Sequence, residues 1–460
     1  MQLSSEALKN FKKNPNKIFF YDLEMVFDGV TCEALLEEKT TYLIKKDINS
    51  IAINMRNSVD WIMWYLAADA VCRKVFLIST DFNQEIVESI YKKFEVDLLI
   101  QENKRKINNN SYKNLDTEDR IDVIFTSGTS GIPKAAMIGE KSFIHVAKAL
   151  IDEVDQKDND LELLSMSLDR SFGLARLRTC ILSGCAALVT DGMRNFPRIY
   201  EFSKKIPITG LSLVPSALQI MILQLRKKAK LFTSSVKYVE LGSSMLVDGQ
   251  FDWIKENFEE SIIIHHYGMT ESSRAFIKRL DLEDMQGSQV GKPLKGVEYK
   301  LYKQKKDDKH GELLLRGKNL FLGYLDDKLT EKVIVNGWYH TGDVCFEKKQ
   351  KIYLVGRTDN QMNIGGAKVQ AEMVERVIEE VDSVNECICF EYPDNILGNT
   401  IAVLMMVNEE NIDFKRLFKN VFSGYPSFYL PSKIAIVESL PKTFNGKKQR
   451  DKEKLMKLLK

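Results

Sequence analysis

Cysteine is scarce in this chain of 460 residues, and neither sign of charge is in excess. The seven cysteines are scattered, odd in number and include no CxxC pair, a usage typical of a reduced protein inside the cell. Basic and acidic residues number 66 and 64, which gives a net charge of +2. This balance indicates neither nucleic acid nor an anionic membrane as the main partner.

Targeting and membrane signals are also missing. The opening MQLSSEALKN has no basic region followed by an apolar stretch, so no secretory signal is evident. The longest apolar run, WIMWYLAADAVC, is interrupted by Asp69 and is too short to span a bilayer. These absences predict a soluble, cytoplasmic protein without a membrane span. Hydrophobic residues make up 44% of the chain, which suffices for a large buried core.

Segments typical of strands and helices alternate through the first part of the chain. SIAINM, VFLIS, VDLLI and IDVIF have the composition of strands, and residues 59–71 and 85–94 those of helices, the first of them amphipathic. The polar stretch 101–120 is predicted to be a surface loop. This alternation predicts an α/β fold with parallel sheets covered by helices.

After about Lys292 the pattern changes to short strands separated by turns. We therefore predict a large N-terminal domain over residues 1–355, in which 292–355 form a small β-rich lobe. A hinge at 356–360 and a mobile α+β cap domain at 361–460 are predicted to follow. Cys387 and Cys389 alternate and should share one buried face of a strand. The basic tail is either a solvated terminal helix or an interaction arm.

The segment IDVIFTSGTSGIPK has the composition of a phosphate cradle. Its strand is followed by hydroxyls, glycines and a lysine, namely Thr126, Ser127, Gly128, Thr129, Ser130, Gly131 and Lys134. Glycines let backbone N–H groups turn toward an anion, and the lysine adds positive charge. The segment is not the GxxxxGK[ST] loop of P-loop NTPases. Taken alone, such a run is more often an ordinary turn.

Two later segments have suitable side chains for a nucleotide. In YGMTE, Tyr267 could stack on a purine, Thr270 could bond a phosphate, and Glu271 is a hard oxygen ligand for Mg²⁺. The alternative is a helix-capping pattern of Thr and Glu. In YHTGDV, the Asp343 carboxylate could accept bonds from two ribose hydroxyls, or it could simply occupy a turn.

Five segments together resemble the AMP-forming adenylate ligases, a family of acyl-CoA synthetases, stand-alone adenylation domains and luciferases. TSGTSGIPK, HHYGMTES, the stretch from GELLLRG to NGWYHTGDV, GRTDNQMNIGGAKV and LPKTFNGKKQR are similar to the family's motifs and stand in its order. The resemblance covers essentially the whole chain. It implies ATP and Mg²⁺ as cofactors and a carboxylic acid as substrate.

The resemblance also implies roles for individual residues. Thr270 and Glu271 would be catalytic, with Glu271 holding Mg²⁺ on ATP. Beside the phosphate loop, the nucleotide-binding residues would be Gly242, Ser243, Ser244, His266, Tyr267, Gly268, Asp343 and Arg357. Lys447, directly after Gly446, would bridge the acyl carboxylate and the α-phosphate. A fixed ammonium stabilises the charge that develops there, and losing such a donor typically costs on the order of 10²–10³ in rate.

The hinge departs from the family pattern. Asn360 stands where the family usually has Asp or Lys, and asparagine tolerates unusual backbone angles. A hinge that alternates between adenylation and thioester formation at the interface of the two domains is one interpretation, and a rigid linker is the other. Ala135 stands where glycine is common in the family.

The acyl pocket can be aligned in two ways within SLDRSFGLARL. Through SFGL, with Phe172 and Gly173, it resembles fatty-acyl ligases, with Arg170 replacing a histidine. Through LDxS it resembles amino-acid-activating domains, in which Asp169 would hold the substrate amino group. We favour the first alignment. A surface Asp–Arg pair without a ligand role is the third possibility, and Arg170 suggests an acidic or polar acyl group.

Three functions follow from these alternatives. The first is an acid–thiol ligase that passes the acyl group to CoA or to the phosphopantetheine of an acyl or peptidyl carrier protein. The second is a stand-alone amino-acid adenylation enzyme that loads a carrier protein. The third is a nucleotide-binding member without turnover, which the presence of the motif residues disfavours.

Overall fold

The computed structural model describes residues 2–102, 104–108, 120–126, 133–242, 246, 249–283, 288–303, 308–364, 367–394, 398–409, 413–423, 425, 429–442 and 446–459. It divides into two compact units. The N-terminal unit comprises Met1–Tyr299 and Leu315–Tyr339, and the C-terminal unit comprises Lys300–Leu314 and His340–Lys460.

The first half of the N-terminal unit alternates helices and strands. Its elements are α1 (Leu3–Lys13), β1 (Ile18–Tyr21), β2 (Val26–Asp28), α2 (Gly29–Lys45), β3 (Ser50–Asn54), α3 (Val59–Val71), β4 (Lys74–Leu77), α4 (Gln84–Lys93), β5 (Leu98–Gln101), β6 (Lys104–Ile107), β7 (Ile121–Thr126), β8 (Lys134–Gly139), α5 (Glu140–Val154) and β9 (Leu161–Leu164). The alternation predicted from the sequence is confirmed here.

The alternation continues into the second half of this unit. The elements are α6 (Ser171–Ser183), β10 (Ala186–Val189), α7 (Phe196–Ser203), β11 (Gly210–Leu213), α8 (Pro215–Leu225), α9 (Ala229–Thr233), β12 (Tyr238–Leu241), α10 (Gln250–Asn257), β13 (Ile262–Tyr267), β14 (Phe276–Arg279), β15 (Gln289–Pro293) and β16 (Val297–Tyr302). A 3₁₀ turn at Arg226–Lys228 joins α8 to α9.

The remaining elements lead into the C-terminal unit and form most of it. They are β17 (Gly311–Gly317), β18 (Gly323–Tyr324), α11 (Asp327–Val333), β19 (Ile334–Val335), β20 (Trp338–Lys348), β21 (Lys351–Arg357), β22 (Gln361–Ile364), β23 (Ala367–Gln370), α12 (Ala371–Glu379), β24 (Val384–Asp394), β25 (Gly398–Val407), α13 (Phe414–Val421), β26 (Lys433–Ile436) and α14 (Lys452–Leu458). A 3₁₀ turn at Thr358–Asn360 separates β21 from β22.

Two sheets organise the N-terminal unit. In one, the strand order is β18-β8-β7-β4-β3-β5-β6, with β7, β4, β3 and β5 parallel. In the other, β13, β12, β11, β9, β10 and β1 run parallel in that order, flanked by the antiparallel strands β14 and β2. The predicted α/β fold with parallel sheets covered by helices is confirmed.

The C-terminal unit contains a small three-stranded sheet with helices on both faces. In it, β24 pairs antiparallel with β25, which pairs parallel with β26. Cys387 and Cys389 of β24 point into one core with α12 and α13, whereas Ile388 points into a second core with Leu455 of α14. The predicted shared face of the two cysteines is confirmed. The terminal helix is docked through Leu455 rather than solvated on all sides.

Two expectations differ from the structure. Helix α3 is buried on nearly every side rather than amphipathic, because it lies under α1 and α2 as well as against the strands. The predicted loop at 101–120 contains β6, an exposed edge strand that pairs with β5. The predicted domain boundary at residue 355 and the hinge at 356–360 stay predictions.

Candidate active site

The candidate residues of the N-terminal unit follow the carboxyl ends of parallel strands. Lys134 lies directly opposite Thr126, the last residue of β7, so the phosphate loop leaves and rejoins the sheet at one edge. In the second sheet, Asp169 follows β9, Gly242 follows β12, and Gly268 follows β13. Ligands of α/β sheets bind at such edges. Ser127, Gly128, Thr129, Ser130, Gly131, Ser243 and Ser244 lie outside the described residues.

Three of the motifs meet around Tyr324. Its hydroxyl donates a hydrogen bond of 2.6 Å to Oε1 of Glu271, and the ammonium of Lys134 lies 5.7 Å from the centre of its ring. Strand β18 brings Tyr324 there by pairing with β8 opposite Ala136. Tyr324 was not among the predicted site residues. The sequence signal that could have identified it is its place in the third motif, the stretch from GELLLRG to NGWYHTGDV.

The chemistry of Glu271 suits the magnesium predicted from the sequence. Its carboxylate is 9% exposed, and Tyr324 uses Oε1, which leaves Oε2 as a hard oxygen ligand. Its backbone carbonyl accepts a hydrogen bond of 2.8 Å from the amide of Phe321. Glu271 is therefore held at its carboxylate by Tyr324 and at its backbone by Phe321. Thr270 precedes it and is partly exposed, as is Tyr267, whose ring meets Phe276 edge-on.

Gly242 and Gly268 are required by close contacts. A Cβ atom on Gly242 would lie 2.0 Å from Cε1 of His266, and one on Gly268 would lie 1.8 Å from the carbonyl oxygen of Ser273. Real Cβ atoms do not approach so closely, so these positions accept glycine alone. Gly173 is constrained in the same way by the carbonyl of Ser167, at 2.3 Å.

A buried network of charges underlies His266. Its Nδ1 lies 2.8 Å from Oε1 of Glu240, which also accepts a bond of 2.9 Å from Arg274. Arg176 joins the network through Glu162 and lies 3.5 Å from Glu240. Burial of charge on this scale is tolerated because each group is paired.

The network sets the protonation of its members. Burial, followed by the nearby guanidinium of Arg274, lowers the pKa of His266, so the neutral imidazole is favoured. Burial alone would raise the pKa of Glu240, but Arg274, His266 and Arg176 hold it well below its usual range. Glu240 and Arg274 were not predicted from the sequence. A charged residue within the apolar strand KYVEL was the signal for Glu240.

Asp169 and Arg170 are not a surface pair, because Asp169 is only 5% exposed. Oδ1 of Asp169 accepts a bond of 2.8 Å from Ser167 and lies 3.7 Å from Arg170. Arg170 also lies 3.2 Å from Asp81 and donates to Ser79 at 3.3 Å. Burial raises the pKa of Asp169, opposed by Arg170. The ring of Phe172 meets His266 edge-on at 4.7 Å.

In the C-terminal unit, Asp343 and Arg357 face each other across β20 and β21. Nη1 of Arg357 donates a bond of 2.8 Å to Oδ1 of Asp343, which is 6% exposed. Gly342 has a φ of +73°, and a Cβ there would lie 2.8 Å from the same guanidinium. The two residues predicted to bind ribose are thus joined directly. The Asn360 amide donates to Glu372, whose pKa is raised by burial.

The segment around Lys447 alternates between two environments. Lys448 lies 2.7 Å from Glu379, and Arg450 donates bonds of 2.6 and 2.7 Å to the two oxygens of Glu375. Lys447, which stands between Gly446 and Lys448, is exposed. Two of the neighbouring cations are therefore paired with carboxylates of α12, whereas Lys447 is exposed.

Family models for two domains match this chain. The model of the AMP-binding enzyme matches residues 101–325, and that of the AMP-binding enzyme C-terminal domain matches residues 373–447. The fatty acid–[acyl-carrier-protein] ligase MmaC of Mycobacterium marinum is 26% identical over 73% of this chain and 68% of its own. The 2-succinylbenzoate–CoA ligase of Listeria monocytogenes is 27% identical over 72% and 69%.

Solved structures share the fold. ATP-bound MatB from Rhodopseudomonas palustris superposes with a TM-score of 0.85 at 17% identity, covering 99% of this chain and 100% of its own. The chain belongs to the AMP-forming adenylate ligase superfamily. It is an AMP-forming acid–thiol ligase. Among the described residues, the helices are too short or too polar to cross a membrane.

Proposed function

We propose that this enzyme activates a carboxylic acid with an uncharged, largely apolar acyl group. One carboxylate oxygen of the acid attacks the α-phosphorus of ATP, and pyrophosphate leaves. The sulfur of a thiol then attacks the acyl carbon, AMP leaves, and the thiol proton passes to solvent. The acceptor is CoA or a carrier-protein pantetheine, and we place the enzyme in the cytoplasm on the sequence grounds given above.

The compensation of Arg170 is the observation that carries the choice of acid. Its guanidinium lies 3.2 Å from Asp81 and 3.7 Å from Asp169, so its charge is already balanced by two carboxylates. A second carboxylate on the substrate would have to displace one of them. This favours an uncharged acyl group over the acidic group that Arg170 suggested from sequence.

The environment of Asp169 argues against an amino-acid substrate. The carboxylate is buried, accepts a bond from Ser167 and lies near Arg170, and burial raises its pKa. An amino group in the site would have to compete with Arg170 for this buried carboxylate. The aromatic contact of Phe172 with His266 provides an apolar wall instead.

The remaining roles are proposed from the motifs. Mg²⁺, when bound with ATP, neutralises phosphate charge, and Glu271 would hold it. Lys134 would contact the leaving phosphates, and Tyr267 would stack on the adenine. Asp343 with Arg357 would bind the ribose. The exposed Lys447 would contact the acyl carboxylate and the α-phosphate, where a fixed ammonium stabilises the transition state.

Pyrophosphate release without any thiol tests the proposal. Fatty and aromatic monocarboxylic acids are expected to drive release, and dicarboxylic and amino acids are not. Asp169→Asn should leave this order unchanged, because the carboxylate has no role in binding an amino group. Release driven by amino acids and lost in Asp169→Asn would overturn the proposal. Adding CoA or a pantetheine-bearing carrier protein then identifies the acceptor by thioester formation.

A further inference from the structure

Arg274 links two parts of the N-terminal unit that lie far apart in the sequence. It follows the second motif, is 1% exposed, and uses every edge of its guanidinium. Nε donates to Oε1 of Glu240 at 2.9 Å, Nη1 to the carbonyl of Ser171 at 3.1 Å, and Nη2 to the carbonyl of Phe172 at 3.2 Å. The two carbonyls belong to the first turn of α6, within the segment predicted to form the acyl pocket.

The same guanidinium also contacts the ring of Phe172, at 4.9 Å from its centre. That ring also meets His266, at 4.7 Å and nearly perpendicular. His266 in turn fills the space beside Gly242 and lies 2.8 Å from Glu240. One anion, Glu240, thus anchors both Arg274 and His266, and the ring of Phe172 contacts both of them.

We propose that Arg274 is a positioning residue that holds Phe172 against His266 and thereby fixes one wall of the acyl-binding site. The inference rests on the proposed function. Arg274 acts through Phe172 and does not contact the reacting atoms. A planar guanidinium is necessary because this one side chain must bond a carboxylate and two carbonyls at once. The ammonium of a lysine, on its flexible stem, does not do so in this geometry.

The ring of Phe172 would be less constrained in Arg274→Lys, although the charge opposite Glu240 is kept. The KM for the acid is therefore expected to rise about tenfold, the usual scale for losing a pocket contact. The kcat and the KM for ATP should change less than about threefold. Arg178→Lys is the matched control. Arg178 is also buried and paired with a carboxylate, Asp122, but it bonds Tyr65 rather than the Ser171 or Phe172 carbonyl.

Amide hydrogen exchange in the absence of substrate separates positioning from catalysis. Peptides covering 167–175 are expected to exchange faster in Arg274→Lys and to be unchanged in Arg178→Lys. Unchanged exchange in Arg274→Lys, or an equal rise of the acid KM in the control, would overturn the proposal. If the wild-type enzyme instead releases no pyrophosphate with any acid while the exchange difference is present, the proposed function fails and the positioning contact stands.

The variant Phe172→Ala covers the case in which Arg274→Lys folds poorly by circular dichroism. Phe172→Ala alone should then reproduce the tenfold rise of the acid KM with little change for ATP. Where both variants fold, the effect of Arg274→Lys should largely vanish in the Phe172→Ala background, since neighbours that act through one another are not additive. Full additivity, or a Phe172→Ala variant with the wild-type acid KM, would overturn the proposal.

Discussion

Tyr324 and Glu271 are joined by a hydrogen bond of 2.6 Å between the phenolic hydroxyl and Oε1 of the carboxylate. The residues belong to different sequence motifs, and both are nearly buried. Since the bond uses one of the two carboxylate oxygens, it fixes the direction in which the other one points. The role of Tyr324 is therefore to orient the carboxylate of Glu271.

Tyr324→Phe should slow acyl-adenylate formation by about one order of magnitude. The variant removes a hydrogen bond to a charged group, which is worth about 1.5–3 kcal/mol, and keeps the ring over which Lys134 lies. The dependence of pyrophosphate release on Mg²⁺ should shift to higher concentration. Tyr339→Phe is the control, because it removes a phenolic hydroxyl that donates to the sulfur of Met269, at 3.2 Å. Wild-type magnesium dependence in Tyr324→Phe would contradict the prediction.

Lys447 and Lys448 should respond in opposite ways to replacement by alanine. Lys447→Ala is expected to lower adenylation by on the order of 10²–10³ with no loss of stability, because the side chain is exposed. Lys448→Ala removes the cation that Glu375 and Glu379 share, although Arg450 still bonds Glu375, so thermal unfolding should occur at lower temperature. Adenylation and Tm are measured for both variants. Near-normal adenylation by Lys447→Ala would exclude the assigned role.

Gly242→Ala should impair the enzyme through a steric clash alone. The added Cβ would lie 2.0 Å from the His266 ring, so the ring must move away from its contact with Phe172. We expect a loss of stability of about 1–3 kcal/mol and a higher KM for the acid. Gly139→Ala is the control, since its nearest neighbour is the flexible side chain of Leu322 at 3.2 Å. Equal behaviour of the two variants would refute the steric account.

Stability should fall with acidification because of His266. Its folded pKa lies below the ordinary 6.5, so between the two values the unfolded chain binds a proton that the folded chain excludes. The free energy of unfolding therefore decreases as pH drops below about 6.5. His266→Gln should flatten this slope, with both proteins compared to their own values above pH 7.5. If His266→Gln retains the full dependence of unfolding free energy on pH, that dependence arises from other groups. Glu240 adds the same sign at lower pH.

The sequence was sufficient to predict the alternation of strands and helices from Ser50 onward and the strand ends that carry the motifs. Alternation of apolar segments identifies β3, β4 and β5, and hydroxyl- and glycine-rich residues after β7 mark a loop at the sheet edge. These are local properties. The contacts of Arg274 with the carbonyls of Ser171 and Phe172 depend instead on how distant segments pack, and no local pattern contains that information.

The compensation of the Arg170 charge could not be predicted from the sequence either. Arg170 alone suggested an acidic substrate, because Asp81 follows a different strand and its proximity depends on the fold. The burial of α3 on nearly every side has the same origin, because it depends on the packing of α1 and α2 against this helix. In both cases the missing information was the tertiary partner of a correctly predicted element.

The pairing of β18 with β8 has a consequence for biosynthesis. Strand β18 contributes only Gly323 and Tyr324, but it covers what would otherwise be the outer edge of the seven-stranded sheet. During translation β8 is complete long before those residues leave the ribosome, and an open strand edge is a template for pairing with other chains. Nascent or truncated chains that end before residue 323 will therefore expose the edge of β8 to pairing with other chains. In the finished protein, Gly323 and Tyr324 occupy that edge and prevent aggregation there.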